Sequence, residues 1–314
     1  MSVDISIIIP YLNEEDNTAF LVDSLSRFFK ENRHINYEVI LVDDGSTDNS
    51  SEAFETLLNK SGIDYKIIIL AKNYGSHIAL RSGITNSSGE WMMFLPADLQ
   101  DPLELSTLLH TNAKKGFDIV FASRNTTSAG IFEKTFSKMY ANLMRKFVYK
   151  KFPENGFDIV MFNQKVQAKL NQNIEANSSI FLQILTLGYK QSFITYDKTT
   201  RKHGKSKWTL SKKIKLLVDS FVAFSYAPIR FVSLIGMLFF MVGICWTIYI
   251  SGRKLLYNDI AAGWPALTSI LLLGFGITNI SLGIIAEYLW RTLDASRARP
   301  VFIIDKIIEH KKEQ

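Results

Sequence analysis

The chain has 314 residues, enough for one large domain or two ordinary ones. Apolar residues make up 47% and charged residues 21%, which excludes a disordered chain and a fibrous repeat. The formal charge is +6, and the single cysteine, Cys245, excludes an intrachain disulfide framework. No basic stretch precedes an apolar one at the start, so we expect no cleaved secretory signal and a cytoplasmic location for the first two hundred residues.

Short apolar runs alternate with helix-like stretches in the first part of the chain. The predicted strands are Ile5–Ile9, Glu38–Val42, Lys66–Leu70, Trp91–Leu95 and Asp118–Phe121. The predicted helices are Thr18–Lys30, Ser50–Asn59, His77–Thr85 and Leu103–Lys114. Because nearly all-apolar strands are typical of sheets buried on both faces, we predict an α/β domain with a doubly wound, mostly parallel sheet over residues 1–208.

The distribution of apolar residues in the second part of the chain is typical of membrane-associated segments. Apolar residues at helical spacing in Thr209–Tyr226 predict an amphipathic helix in the headgroup layer, over residues 209–228. The uncharged stretches Phe231–Ile250 and Trp264–Ala286 each match the roughly 20 residues that cross a bilayer as a helix. We therefore predict two transmembrane helices within residues 229–290, joined by a short external loop, 251–263.

Basic residues flank this region on one side. Lys198–Lys215 carries eight Lys or Arg and no acid, and three arginines follow residue 290. Positive-inside counting predicts a multi-pass protein of the inner (cytoplasmic) membrane, with the catalytic domain, both termini and the tail 291–314 in the cytoplasm. Glycines at 274, 276 and 283 could serve close helix packing, which leaves a homo-oligomer open.

Polar side chains follow the end of each predicted strand. Asp43 and Asp44 end the second, Lys72 follows the third, and Asp98 with Gln100 follows the fourth. Ligands of open α/β sheets bind beyond the carboxyl ends of the strands, so we predict one crevice there. Turns alone would not need this concentration of carboxylates. Asp98 and Gln100 could supply part of a Mg²⁺ shell that a ligand's phosphates complete.

Other site chemistries have little support in the sequence. The five histidines are scattered without zinc spacing, and the dinucleotide fingerprint G-x-G-x-x-G is missing. Gly204-Lys205-Ser206 lacks both the first glycine of a phosphate loop and a strand-to-helix turn around it. A redox enzyme and a P-loop ATPase are therefore disfavoured, and we expect no nucleic-acid partner.

Three motifs carry a family resemblance: Ile7-Ile-Ile-Pro-Tyr-Leu-Asn-Glu-Glu15, Val42-Asp-Asp-Gly-Ser-Thr-Asp48 and Ala97-Asp-Leu-Gln-Asp-Pro102. With Lys72-Asn-Tyr-Gly75, Gly204-Lys-Ser-Lys207 and Arg299-Pro-Val-Phe-Ile-Ile304, the chain resembles family 2 glycosyltransferases, in particular the dolichol- and polyprenyl-phosphate sugar synthases. The resemblance implies a GT-A type domain that transfers a sugar, with inversion, from a nucleotide donor to a polyprenyl phosphate of the undecaprenyl or dolichyl type. It also implies Mg²⁺ or Mn²⁺ as cofactor, a bilayer as partner, and a product used in cell-envelope glycan modification or protein glycosylation.

The resemblance also assigns residues to roles. Nucleotide-sugar contacts fall on Pro10, Tyr11, Glu14, Val42, Asp44, Lys72, Ala97, Asp98, Gln100, Arg201 and Lys207. The metal falls on Asp98 and Gln100, and the acceptor phosphate on Arg124, Lys134 and Ser137. Catalytic roles fall on Asp98, Asp158, Arg124 and Arg201.

Two positions depart from the family pattern. Pro96 replaces a common Asp, which removes one carboxylate from the metal neighbourhood, and Val160 replaces a common Arg, which puts a base role of Asp158 in doubt. A processive polysaccharide synthase is disfavoured because the chain lacks a Gln-x-x-Arg-Trp motif and further spans. A degenerate, non-catalytic sugar-nucleotide or lipid-binding protein stays as the alternative. We expect a UDP-sugar donor, and the sequence leaves the sugar open.

Overall fold

The computed structural model divides the chain into two compact units, Met1–Leu217 with Pro300–Gln314, and Val218–Arg299. Its description covers residues 3–124, 131–150, 152–154, 156–172, 175, 178–197, 218–220, 222–225, 230–232, 234–239, 241–242, 245, 248–249, 256, 263–297 and 299–310.

The first unit is built on one sheet of eight strands. The strands are β1 (Ile5–Tyr11), β2 (Tyr37–Asp43), β3 (Asp64–Leu70), β4 (Trp91–Phe94), β5 (Ile119–Arg124), β6 (Phe157–Asn163), β7 (Gln191–Tyr196) and β8 (Ile304–His310). Their order is β7-β5-β6-β4-β1-β2-β3-β8. Strand β1 pairs in parallel with β2 and β4, β2 with β3, and β5 with β7; β6 and β8 run antiparallel to their neighbours. The prediction of a mostly parallel α/β sheet is confirmed.

Helices cover both faces of this sheet. They are α1 (Thr18–Glu31), which follows a 3-10 turn (Glu15–Asn17), α2 (Ser50–Ser61), α3 (Ser76–Asn86), α4 (Leu105–Ala113), α5 (Ile131–Phe147), α6 (Gln164–Gln172) and α7 (Ile180–Thr186). Odd-numbered residues of β1, such as Ile7, share a core with α1, α2 and α4, and even-numbered ones, such as Ile8, face α3. Side chains alternate between the faces of a strand, so apolar residues at every position are what a sheet covered on both sides requires.

The five predicted strands all exist, with ends shifted by up to three residues. Strands β6, β7 and β8 were not predicted. Strand β8 lies in the segment expected to be a C-terminal tail, yet it pairs with β3 from Tyr65↔His310 to Leu70↔Ile304 and forms one edge of the sheet.

The second unit contains α8 (Trp264–Ser296), a helix of 33 residues. At one end of α8, the Arg291 guanidinium lies 2.7 Å from Asp219 and 2.8 Å from Glu287. In the part of the chain that the structure describes, no helix is both long and apolar enough to cross a membrane. The prediction of two transmembrane helices is therefore not supported: the first span is described only in short helical pieces such as 234–239, and the second lies within α8.

Candidate functional site

The ends of β1 and β2 are joined through the start of α2. Tyr11 opposes Asp43 in the strand register and is only 3% exposed. Its hydroxyl lies 2.8 Å from Oγ of Ser51, which in turn donates to the Asp43 carboxylate. Burial, and then the charge of Asp43, raise the pKa of Tyr11. The Tyr11 side chain thus connects the end of β1 to the start of α2, and its ring centre lies 4.9 Å from that of Phe54.

Asp44 connects β2 to the loop that follows β3. This buried carboxylate accepts hydrogen bonds from the main-chain N–H groups of Tyr74, at 2.8 Å, and Gly75, at 2.9 Å. The next residue, Gly45, has φ +75°, and a Cβ there would lie 2.6 Å from main-chain atoms of both Lys72 and Asn73. Only glycine allows this approach, so Asp44 and Gly45 together hold the loop 72–75 against the end of β2.

The loop after β1 is held against the loop after β2 in the same way. Asn13 adopts a positive φ of 51° and its main-chain N–H donates to Ser46 Oγ at 2.9 Å. Its side-chain oxygen accepts the N–H of Thr47 at 2.8 Å, and the N–H of Glu14 donates to Ser50 Oγ at 2.9 Å. The loops after β1 and β2 are therefore joined to each other by hydrogen bonds within the protein.

The fourth strand ends in a tight turn that carries Asp98 and Gln100. Leu99, between them, has a positive φ of 45°, and the Gln100 N–H donates to Asp98 Oδ1 at 3.2 Å. The carbonyl of Ala97 accepts a 2.7 Å hydrogen bond from Nδ2 of Asn17, a buried residue just before α1. Asp98 and Gln100 are both half-buried.

These two side chains have the chemistry of a hard-cation site. Carboxylate and amide oxygens are ligands that Mg²⁺ and Mn²⁺ accept, and a Mg²⁺ ion commonly takes only one or two protein carboxylates. Among the described residues there is no group of three or more His, Cys, Asp or Glu that could hold a metal. A metal here would take most of its ligands from water and from the phosphates it binds.

A cavity of about 300 Å³ adjoins the same turn. One wall is a face of α1 and the other is the segment from Asp98 to Glu104. Its lining mixes charged and apolar side chains, including Arg27 and Phe28. The carboxyl end of β4 therefore borders a recess on the α1 side.

The remaining predicted positions divide into three groups. Val42 is fully buried and faces α3, so only its main chain could reach a ligand. Pro10 is half-buried. Lys72 is exposed, and its Nζ lies 5.1 Å from the ring centre of Tyr74. Ser137 lies half-buried on α5. Arg201 and Lys207, and the side chains of Arg124, Lys134 and Asp158, lie outside the described part of the structure.

Sequence reasoning missed the residues that hold the crevice together. Asn17 and Ser51 each bridge elements far apart in the chain, at separations of 80 and 40 residues. Ser51 carries a signal, since a hydroxyl near a helix start commonly forms such bonds. Asn17 carries none, because its partner is a main-chain carbonyl.

Comparisons with known proteins agree with this architecture. Residues 6–181 match the family described as Glycosyl transferase family 2. An uncharacterized glycosyltransferase of Synechocystis sp. is 30% identical over 309 residues, 98% of this chain and 96% of that protein. The undecaprenyl-phosphate 4-deoxy-4-formamido-L-arabinose transferase of Yersinia pestis bv. Antiqua (strain Angola) is 28% identical over 306 residues, 97% of this chain and 93% of that protein.

A solved structure shows the same fold. The crystal structure of glucosyl-3-phosphoglycerate synthase from Mycobacterium tuberculosis matches with a TM-score of 0.52 at 18% identity, over 70% of this chain and 79% of that chain. This agrees with the GT-A type of sheet expected from the motifs. Since the family match covers more than half of the sequence and the motifs lie at the strand ends of one sheet, the chain belongs to glycosyl transferase family 2.

Proposed function

We propose that this protein is an inverting glycosyltransferase that moves a sugar from a nucleotide sugar onto polyprenyl phosphate. The observation that carries the proposal is the extent of the likeness to the undecaprenyl-phosphate transferase. The match runs over 97% of this chain and so includes most of the residues beyond 181, where the family match ends. A relative that shared only the nucleotide-binding domain would not be similar there.

The nucleotide end of the donor would bind above β1, β2 and β3. Their loops are fixed by the contacts of Asn13, Asp44 and Gly45, so main-chain groups are already in place and little conformational entropy is lost on binding. The exposed ammonium of Lys72 suits a phosphate. We propose a UDP-sugar as donor.

The diphosphate would lie at the Asp98 turn. Asp98 and Gln100 would hold Mg²⁺ or Mn²⁺ there, and the ion would neutralise charge on the departing diphosphate. Since Pro96 supplies no second carboxylate, the donor's own phosphates would complete much of the metal shell. Metal affinity should therefore rise strongly when the nucleotide is present.

The acceptor needs little activation. A phosphate monoester has a second pKa near ~6 and arrives largely ionised at neutral pH. Its oxygen forms a bond to the anomeric carbon while the bond from that carbon to the diphosphate oxygen breaks, so the configuration inverts and the nucleoside diphosphate leaves. Cationic groups at Arg124, Lys134, Arg201 and Lys207 would screen the repulsion between the two anions, and Ser137 would donate to the acceptor phosphate. Asp158 would orient a hydroxyl group and not act as a base.

The second unit would hold the enzyme at the inner face of the cytoplasmic membrane, where the lipid acceptor resides. Large apolar side chains on α8 are widely exposed, a property that in a soluble protein marks an interaction surface. They include Leu271, Phe275, Ile280, Leu282, Leu289 and Trp290, each more than half exposed. We propose that lipid covers them, that both termini are cytoplasmic, and that the product serves cell-envelope glycan modification or protein glycosylation.

A non-catalytic binding protein is the second candidate. Pro96 supports it because the turn has lost a carboxylate, and so does Val160, which is fully buried in β6 opposite Phe121 where the family commonly has an arginine. Such a protein would bind the nucleotide sugar and transfer nothing.

The test is transfer of radiolabelled sugar from a panel of UDP- and GDP-sugars into organic-extractable lipid. Membranes containing wild type, Asp98→Asn or Asp23→Asn would receive undecaprenyl phosphate with Mg²⁺ or Mn²⁺. Asp23 is an exposed carboxylate on α1 and serves as the matched control. We expect metal-dependent lipid label in wild type and Asp23→Asn, and loss of most label in Asp98→Asn. Nucleotide binding without lipid label from any donor would instead establish the binding protein.

A further inference from the structure

A hydrogen bond between Tyr196 and Asp101 links the far edge of the sheet to the Asp98 turn. Tyr196 is the last residue of β7, and its hydroxyl donates to Asp101 Oδ1 at 2.5 Å. The two residues are 95 positions apart in sequence. Asp101 is 0% exposed and Tyr196 is 7% exposed, so the bond lies inside the protein.

Topology explains how the two residues meet. Strands β5 and β6 separate β4 from β7 in the sheet. The chain leaves β4, passes through Asp101 into α4, and α4 then crosses over to β5. Tyr196 lies in the same apolar core as Leu105 and Leu109 of α4, so the start of α4 is brought over the end of β7.

The bond is costly to lose and therefore restrains its surroundings. Hydrogen bonds to a carboxylate are stronger than those between neutral groups, and breaking one inside the protein leaves polar atoms away from water. A turn attached at Asp101 cannot move away from Tyr196 without breaking this buried hydrogen bond.

The Asp98 turn is held at both ends. Asn17 holds the carbonyl of Ala97 at the first end, and Tyr196 holds the carboxylate of Asp101 at the other. Between them, Leu99 keeps a positive φ of 45°, which is unfavourable for a non-glycine residue and persists only where the surrounding structure enforces it.

We infer that Tyr196 is a positioning residue for the metal and diphosphate site. Its hydrogen bond to Asp101 keeps the turn in the conformation that presents Asp98 and Gln100 together. Without the phenol, the turn relaxes toward ordinary φ values at Leu99 and the two oxygen ligands separate. The inference rests on the proposed function only in taking a nucleoside diphosphate and a divalent ion as the ligands.

The test compares Tyr196→Phe with Tyr65→Phe in the full-length protein. Tyr65 also donates its hydroxyl to a side chain, Asn59 at 2.7 Å, but it lies in β3, away from the turn. Calorimetry would measure UDP affinity with and without Mn²⁺, and thermal unfolding would measure stability. We expect Tyr196→Phe to weaken Mn²⁺-dependent UDP binding about tenfold, equivalent to about 1.4 kcal/mol, with metal-free UDP binding unchanged. Tyr65→Phe should leave both affinities unchanged.

Two further variants keep the inference open to refutation. Asp101→Asn retains an oxygen that accepts from Tyr196, so it should preserve more of the metal dependence than Tyr196→Phe does. Asn17→Ala releases the other end of the turn and should show the same metal-specific loss. If Tyr196→Phe lowers metal-free and Mn²⁺-dependent binding equally, or changes neither, the positioning role is wrong. Metal-dependent UDP binding by a wild type that labels no lipid would refute the proposed function and leave this inference standing.

Discussion

Replacing Gly45 by alanine should disrupt the proposed nucleotide site, whereas the same change at Gly188 should be mild. Both glycines have nearly the same backbone torsion, with φ of +75° and +79°. An L-residue in that region costs roughly 1–2 kcal/mol, so both variants bear this strain. The two positions differ in the room available for a side chain, because a Cβ at Gly188 would meet no atom within 4 Å.

The extra cost at Gly45 follows from what its Cβ would meet. It would lie 2.6 Å from both the nitrogen of Asn73 and the carbonyl carbon of Lys72, about 0.9 Å inside an ordinary contact of about 3.5 Å. These atoms are main chain and cannot rotate away, so the loop 72–75 must move. That movement weakens the bonds that Asp44 accepts from Tyr74 and Gly75, and each hydrogen bond to a charged group contributes about 1.5–3 kcal/mol.

Thermal unfolding and UDP titration would measure the two effects. We expect Gly45→Ala to be about 2 kcal/mol less stable than Gly188→Ala. That difference corresponds to roughly 4–8 °C, since domains of 150–250 residues shift by about 2–4 °C per kcal/mol. UDP affinity should fall at least about tenfold in Gly45→Ala and stay unchanged in Gly188→Ala. Equal stability and equal affinity in the two variants would refute the close approach of β2 to the loop 72–75.

Further predictions concern the core around the site. Gly83→Ala should lower the melting temperature, because the new Cβ would overlap Cγ2 of Ile8. This loss should outweigh the higher helix propensity of alanine, and a higher melting temperature would contradict the packing. Burial lowers the pKa of His110 below 6.5, so its contribution to stability is complete above pH 6.5 and is lost as pH falls through the lowered pKa. Urea midpoints from pH 7 to 5 should therefore fall less in His110→Leu than in wild type, and equal slopes in the two proteins would contradict this effect of burial. Tyr11→Phe should cost about 1 kcal/mol in urea unfolding, and no loss would exclude a bracing role for its hydroxyl.

The predicted strands β1 and β2 are buried on both faces, but burial alone does not make a strand predictable, because β6 is equally buried and was not predicted. Strand β1 is apolar except at Ser6, and β2 is apolar except at Glu38 and its last residue, Asp43; their observed ends lie within two residues of the predicted ones. Strand β8, Ile-Asp-Lys-Ile-Ile-Glu-His, mixes charged and apolar residues because it lies at an edge, and it forms only through pairing with β3, which is distant in sequence. No local pattern predicts such a strand.

In the candidate site, the sequence predicts which residue types are present but not how their side chains are arranged. Carboxylates at strand ends predict where a ligand site lies, and the structure places Asp44 just after β2 and Asp98 in the turn after β4. The direction of each side chain depends on long-range hydrogen bonds, which a single sequence does not reveal. Tyr11 is predicted to contact a nucleoside, and in the structure its ring packs on Phe54. Asp44 was predicted as a ligand contact, and it also holds the loop 72–75.

The pairing of β8 with β3 has a consequence for how the protein is made. Strand β3 ends at Leu70, and its partner β8 begins only at Ile304. At about 5–20 residues per second, the edge of β3 waits unpaired for roughly 12 to 47 s of synthesis. That edge carries the apolar run Ile67–Leu70, the kind of exposed strand that recruits other chains. A chain whose translation stops before residue 304 should therefore expose this edge and associate with other chains more readily than a chain that includes β8.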